Sequence, residues 1–173
     1  MSQEVADHKR SANDGKEASV EVELKFLVKP KDLAVLASAP VIERYARNGG
    51  TVRNLRSVYF DTPERRLWNA GWTLRVRKSG SRHVMTVKSL GSSGGGMIGR
   101  SEGEAPVRTM DPDLAALPEE VPDAFRKAVE GADLAAVLNT QVKRRARKLD
   151  LPDACIELAV DSGEIIAGAR REA

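Results

Sequence analysis

Apolar and polar residues alternate along much of this chain. In "SVEVELKFLV", Ser19 to Val28, an extended backbone puts Val20, Val22, Leu24 and Phe26 on one side and Glu21, Glu23 and Lys25 on the other. The same period-two pattern predicts a strand over "TVRNLRSVYFDT", closed by Asp61-Thr62-Pro63. "WTLRVRKSGSRHVMTVKSL" predicts a hairpin, with strands Trp72–Lys78 and His83–Leu90 around Ser79-Gly80-Ser81. "MIGRSEGEAPV" alternates again, and "NTQVKRRARKLDL" and "ACIELAVDSGEIIAG" are two further strands joined at Pro152-Asp153. Helical spacing is confined to short pieces: Lys31 to Ala39, and two patterns in "DPDLAALPEEVPDAFRKAVEGA" broken by Pro118 and Pro122. Residues 1–18 are polar and aperiodic, so they are expected to form a tail, and "GSSGGG" a flexible connector. Consecutive strands with helices set between them predict an α+β fold built on an antiparallel sheet or barrel with peripheral helices.

The polar faces of these strands are unusual. Arg75 and Arg77 share a face, as do Thr86 and Lys88; so do Arg100, Glu102 and Glu104; and Glu157 and Asp161, with Ala159 between them. One charged face per strand is ordinarily the solvent side of a sheet. Here the opposite faces are strongly apolar, and both signs recur in tight groups. Several of the cations are Arg, which suits bidentate contact with phosphate or carboxylate. A barrel with these faces inward would carry cations and carboxylates that need ions to fill it. A polyanion on the basic groups and a divalent metal on the acidic ones would satisfy both.

Composition narrows the classes. The chain has 173 residues, enough for one domain, and 31% are charged with a formal net charge of only +3. A near balance of charge and 4% aromatics disfavour a nucleic-acid partner, although "KRRARK" offers a basic patch. The one cysteine, Cys155, is expected to be a small buried hydrophobe and fits a reducing cytoplasmic setting. No apolar run has membrane-spanning length, and the N-terminus lacks a signal-peptide core. No His/Cys cluster points to zinc, and "GSSGGG" lacks the Lys-Ser/Thr of a phosphate-binding loop. Tyr59 and Phe60 are expected to pack, and Asp61 and Thr62 to fix a turn through side-chain to backbone bonds.

The ordered set of motifs resembles the CYTH domain, or triphosphate tunnel metalloenzyme, superfamily. Glu21-x-Glu23-x-Lys25 is similar to its ExExK signature. "VYFDTPERRLWNAGWTLRVR" resembles its YFDT turn and Leu-Arg-x-Arg strand, "MTVKSL" its Thr-x-Lys strand, and "GRSEGE" its Arg-x-Glu strand. "NTQVKRR" and "IELAVDSGEIIAG" resemble its late strands, with wording closest to bacterial inorganic triphosphatases. The resemblance covers roughly Val20 to Gly168, so residues 19–173 are expected to form one CYTH domain. It implies a β-barrel tunnel in which Lys25, Arg56, Arg75, Arg77, Lys88, Arg100 and Arg144 grip a triphosphate, with Lys25, Arg75 and Arg77 central to catalysis. Arg53 competes with Arg56 for its place, and Arg145 with Arg144. Glu21, Glu23, Glu102, Glu104, Glu157 and Asp161 would hold Mg²⁺ or Mn²⁺.

The implied activity is hydrolysis of a triphosphate, foremost inorganic tripolyphosphate. Thiamine triphosphate hydrolysis, adenylyl cyclisation of the class IV type and binding without turnover are the alternatives. In relatives a Glu-x-Glu strand follows the stretch matched by "AVDSGEIIAG", whereas "ARREA" ends this sequence. The last strand is therefore expected to be missing, through truncation, completion by a homodimer or second chain, or degeneration.

Overall fold

The computed structural model describes residues 24–90 and 102–172, the Glu102 side chain excepted. Its frame is one antiparallel sheet of seven strands: β1 (Thr51–Asp61), β2 (Trp72–Ser79), β3 (Arg82–Ser89), β4 (Glu102–Val107), β5 (Ala135–Leu151), β6 (Ala154–Ala167) and β7 (Arg170–Glu172). Their order across the sheet is β4-β3-β2-β1-β5-β6-β7. The short helices are α1 (Leu33–Ala37), α2 (Pro40–Tyr45), α3 (Arg66–Asn69) and α4 (Asp123–Val129), with 3-10 turns at Pro30–Asp32 and Leu114–Ala116. The α+β class and the antiparallel strands follow the sequence pattern. The sheet is open: among the described residues no pairing joins β4 to β7.

After β6 only the three residues Arg170–Glu172 add a strand, in register with Ala167, Ile166 and Ile165, and they carry no Glu-x-Glu pair. Two expectations change. The described part of the first predicted strand, Leu24 to Lys29, has no strand pairing, and Leu24, Phe26 and Leu27 are exposed. Alternation sets which side chains share a face; only a neighbouring backbone can make a ladder. Cys155 is exposed, because β6 turns both of its faces largely to solvent near Pro152-Asp153.

The core lies on one face of β1 to β4. Val58 and Phe60, Leu74 and Val76, Met85 and Val87, and Ala105 pack there against Leu67 of α3, Phe125 and Val129 of α4, and Leu117 and Val121. Phe125 meets Trp72 edge to face, with ring centroids 5.8 Å apart. Gly103 makes this packing possible, since a Cβ there would lie 2.2 Å from the Val121 methyl.

Asp61 ends β1 and starts the next helix. Its carboxylate accepts N–H bonds from Thr62 at 2.7 Å, Leu67 at 2.9 Å and Trp68 at 3.1 Å, while the Thr62 hydroxyl accepts from Arg66 N–H at 3.1 Å. The buried carboxylate thus satisfies amides that a four-residue helix leaves open. This is the turn-fixing role read from the sequence.

A second contact pins the helical layer to β5. Arg47, just after α2, clasps Asp150 through two bonds of 2.6 and 2.7 Å. Hydrogen bonding to Arg47 holds the Asp150 carboxyl below its ordinary value of 3.8. The pair's contribution to stability is therefore complete above the unfolded value and fades as pH falls through the lower folded value. The Asp150 carboxyl followed by NMR should titrate with a midpoint below 3.8, and Arg47→Gln should move that midpoint upward. Phe125→Ala should cost about 3–5 kcal/mol in urea unfolding, because its ring is fully enclosed. A loss under about 1 kcal/mol would contradict the packing described.

Candidate anion site on the charged face of the sheet

Directly paired residues of an antiparallel sheet share a face. The pairings therefore state which side chains meet. One row runs Glu104, Thr86, Arg75, Tyr59; the next runs Val84, Arg77, Ser57, Thr140; a third joins Lys88 to Thr73 and to the backbone position of Glu102. Farther along, Arg53 pairs with Arg144 and Arg144 with Asp161. All of these lie on the face opposite the apolar core. A β-bulge between Tyr59 and Phe60 shifts the β1–β5 register at the end of this face nearest Asp61.

Two arginines form the centre, each held by a hydroxyl from the neighbouring strand. Arg77 Nε donates to Ser57 Oγ at 3.0 Å, and Arg75 Nη2 donates to Thr86 Oγ1 at 3.1 Å. Thr86 Oγ1 in turn donates to Glu104 Oε1 at 3.0 Å. Ser57 and Thr86 are both buried, at 0% and 1% exposure, so their hydroxyls act as fixed props. Arg75 Nε is buried and has no hydrogen-bond acceptor among the described residues. A buried guanidinium N–H is costly to leave unpaired. Burial depresses the Arg77 pKa, and the Arg75 and Arg144 charges depress it further, against the opposing pull of Tyr59 and Asp161. The site is an electropositive cradle that a multivalent anion would neutralise.

Several sequence expectations are placed by this register. Arg75, Arg77, Lys88, Arg144, Glu104, Glu157 and Asp161 all fall on the charged face. Arg56 does not: it pairs with Lys78 and Gln141 on the other face, and it is exposed. Its competitor Arg53 takes the charged face instead. Period two fixes this, because Arg56 neighbours the inward Leu55 and Ser57. Arg145 likewise lies with Val52 and Val160 on the opposite face, leaving Arg144 as the residue toward the cradle.

Asp161 accepts both fork bonds of Arg144, at 2.8 and 2.7 Å, so here its carboxylate buttresses a cation. Glu157 pairs with Lys148, four residues beyond the Arg144–Asp161 pair. Among the described residues no three His, Cys, Asp or Glu groups come together as a metal cluster. Lys25 is exposed, before the first helix and outside the strands of the described sheet. Glu21, Glu23 and Arg100 lie outside the described residues. Sequence reading missed Ser57 and took Tyr59 for packing. The signal for both was available, since they alternate with Val58 and Phe60.

The CYTH domain family matches residues 19–172, and the chain belongs to that family. Among solved structures it is similar to a proposed adenylate cyclase from Bacillus halodurans, at 18% identity and a TM-score of 0.50, covering 84% of this chain and 72% of that one. It is also similar to a proposed adenylyl cyclase from Hippeastrum with a dominant triphosphatase activity, at 14% identity and a TM-score of 0.45, covering 79% and 76%. The first likeness supports the fold. No helix among the described residues is long and apolar enough to cross a membrane.

The register yields a contrast that binding can measure. Arg75→Ala and Arg77→Ala should each weaken pyrophosphate binding by about tenfold or more, as expected for losing hydrogen bonds to a charged group. Arg56→Ala should leave it within about twofold. Calorimetric titration separates these outcomes, and equal losses in all three variants would contradict the placement of Arg56.

Proposed function

We propose that this chain is a triphosphate hydrolase whose foremost substrate is inorganic tripolyphosphate. The observation that carries the reading is the Arg75–Arg77 pair: two half-buried guanidiniums side by side, one with an orphaned Nε. Concentrated negative charge placed opposite such a pair would offset its mutual repulsion. A linear phosphate chain fits the extended basic face from Lys88 through Arg75 and Arg77 toward Arg144 and Arg53.

Guanidinium forks from Arg75 and Arg77 would hold the equatorial oxygens of the reacting phosphoryl group and draw off the charge that accumulates in the transition state. Lys88, Arg144 and Lys25 would fix the remaining phosphates so that the terminal phosphorus faces water in line. Water oxygen bonds to that phosphorus as the bridging P–O bond breaks. The products are orthophosphate and pyrophosphate, with one water proton released to solvent or to the products.

Carboxylates at alternate positions of β4, with Glu21 and Glu23, are the hard oxygen donors that Mg²⁺ or Mn²⁺ takes. Glu104 keeps one carboxylate oxygen clear of Thr86, so its chemistry fits such a role. Glu102, Glu21 and Glu23 would complete the set, whereas Asp161 serves Arg144 and Glu157 sits with Lys148. A bound divalent ion would supply phosphate charge neutralisation and acidify a water.

Phosphate release from tripolyphosphate with Mg²⁺ or Mn²⁺ tests the reading, with ATP in parallel. Wild type should release orthophosphate from tripolyphosphate, and Arg77→Ala should lower kcat/KM by about 10²-fold or more. Cyclic AMP and pyrophosphate from ATP, without tripolyphosphate turnover, would assign a cyclase instead. Metal-dependent binding of tripolyphosphate with no turnover of either compound would assign a binding module.

A further inference from the structure

We infer that Thr86 is a positioning residue that couples the metal-binding carboxylate to the phosphate-binding arginine; this rests on the triphosphatase reading above. Thr86 bonds both partners. Its hydroxyl donates its single proton to Glu104 Oε1 at 3.0 Å and accepts from Arg75 Nη2 at 3.1 Å. The Thr86 residue is 1% exposed, so its hydroxyl is shielded from bulk water. The three residues occupy one row of β4, β3 and β2, and the pairings Arg75–Thr86 and Thr86–Glu104 hold them in line.

A hydroxyl has one proton, and its direction sets where the lone pairs face. While Glu104 is a carboxylate, the Thr86 proton points to it and an oxygen lone pair points to Arg75. A cation held by Glu104 fixes that carboxylate, which fixes the hydroxyl, which in turn fixes one arm of the Arg75 fork. The rest of the Arg75 guanidinium is then presented to phosphate in a single orientation. Phosphate on Arg75 acts back along the same two bonds, since coupling between sites is reciprocal. Arg77 lacks this link: its prop, Ser57, sits in a row whose β3 and β4 members are Val84 and Pro106. The two arginines therefore differ in role, Arg75 responding to the metal and Arg77 held independently of it.

The test compares wild type, Thr86→Val, which keeps the shape and removes the hydroxyl, and Thr86→Ser, which keeps the hydroxyl. Mn²⁺ affinity is measured by calorimetry with and without a tripolyphosphate analogue whose bridging oxygens are replaced by NH. The analogue should tighten Mn²⁺ in wild type. In Thr86→Val that tightening should shrink by about fivefold, and Thr86→Ser should restore it to within about twofold. In parallel, Mg²⁺ without any phosphate should shift the Arg75 Nε–H signal in the ¹⁵N spectrum of wild type and Thr86→Ser but not of Thr86→Val. An unchanged coupling factor and an unchanged signal shift in Thr86→Val would overturn the inference while leaving the triphosphatase reading intact. Failure of wild type to bind both Mn²⁺ and the analogue would overturn both.

Discussion

Two guanidinium groups placed side by side on a partly buried sheet face are the constraint on which this structure turns. Their mutual repulsion and lost hydration must be offset, and the chain offsets them in layers. Buried hydroxyls from Ser57 and Thr86 hold one nitrogen of each. Glu104 and Asp161 place negative charge at the two sides of the cradle, each through an intermediary: Thr86 in one case and Arg144 in the other. What remains is net positive charge on this face, with the buried Arg75 Nε lacking an acceptor among the described residues.

The apolar core exists to keep that face in shape. Val58, Leu74, Val76, Met85 and Val87 alternate with Ser57, Tyr59, Arg75, Arg77, Thr86 and Lys88, so each buried methyl group fixes the height and direction of a charged neighbour. The helices are too short to be stable alone and depend on this packing. Asp61 ties the core to the site: one buried carboxylate ends β1, caps α3 and seats Leu67 in the core. Stability and function thus share the same strands, with opposite faces carrying the two tasks.

Family membership and chemistry rest on different observations. The CYTH match spans residues 19–172 and fixes the kind of domain. The functional proposal rests instead on the arrangement of Arg75, Arg77, Thr86 and Glu104. Among the described residues the acidic groups are dispersed, with Asp161 on Arg144 and Glu157 opposite Lys148, so the basic half of the site stands more fully assembled than the acidic half.

Much of this was legible in the residues themselves. Alternation located β1, the β2–β3 hairpin, β5 and β6, because a strand with one buried face must repeat every two residues. It also sorted Arg75 with Arg77 and Thr86 with Lys88 before any pairing was known. What alternation cannot supply is partnership. Whether Arg53 or Arg56 faces the cradle depended on which parity of β1 met the core, and Ser57 beside Arg77 settled it. That Thr86 lies between an arginine and a carboxylate, that Arg170–Glu172 pairs with β6, and that Leu24 to Lys29 joins no strand among the described residues are facts of register between segments distant in sequence. The side-chain period is local; the hydrogen-bonded neighbour is not, and only the tertiary structure decides it.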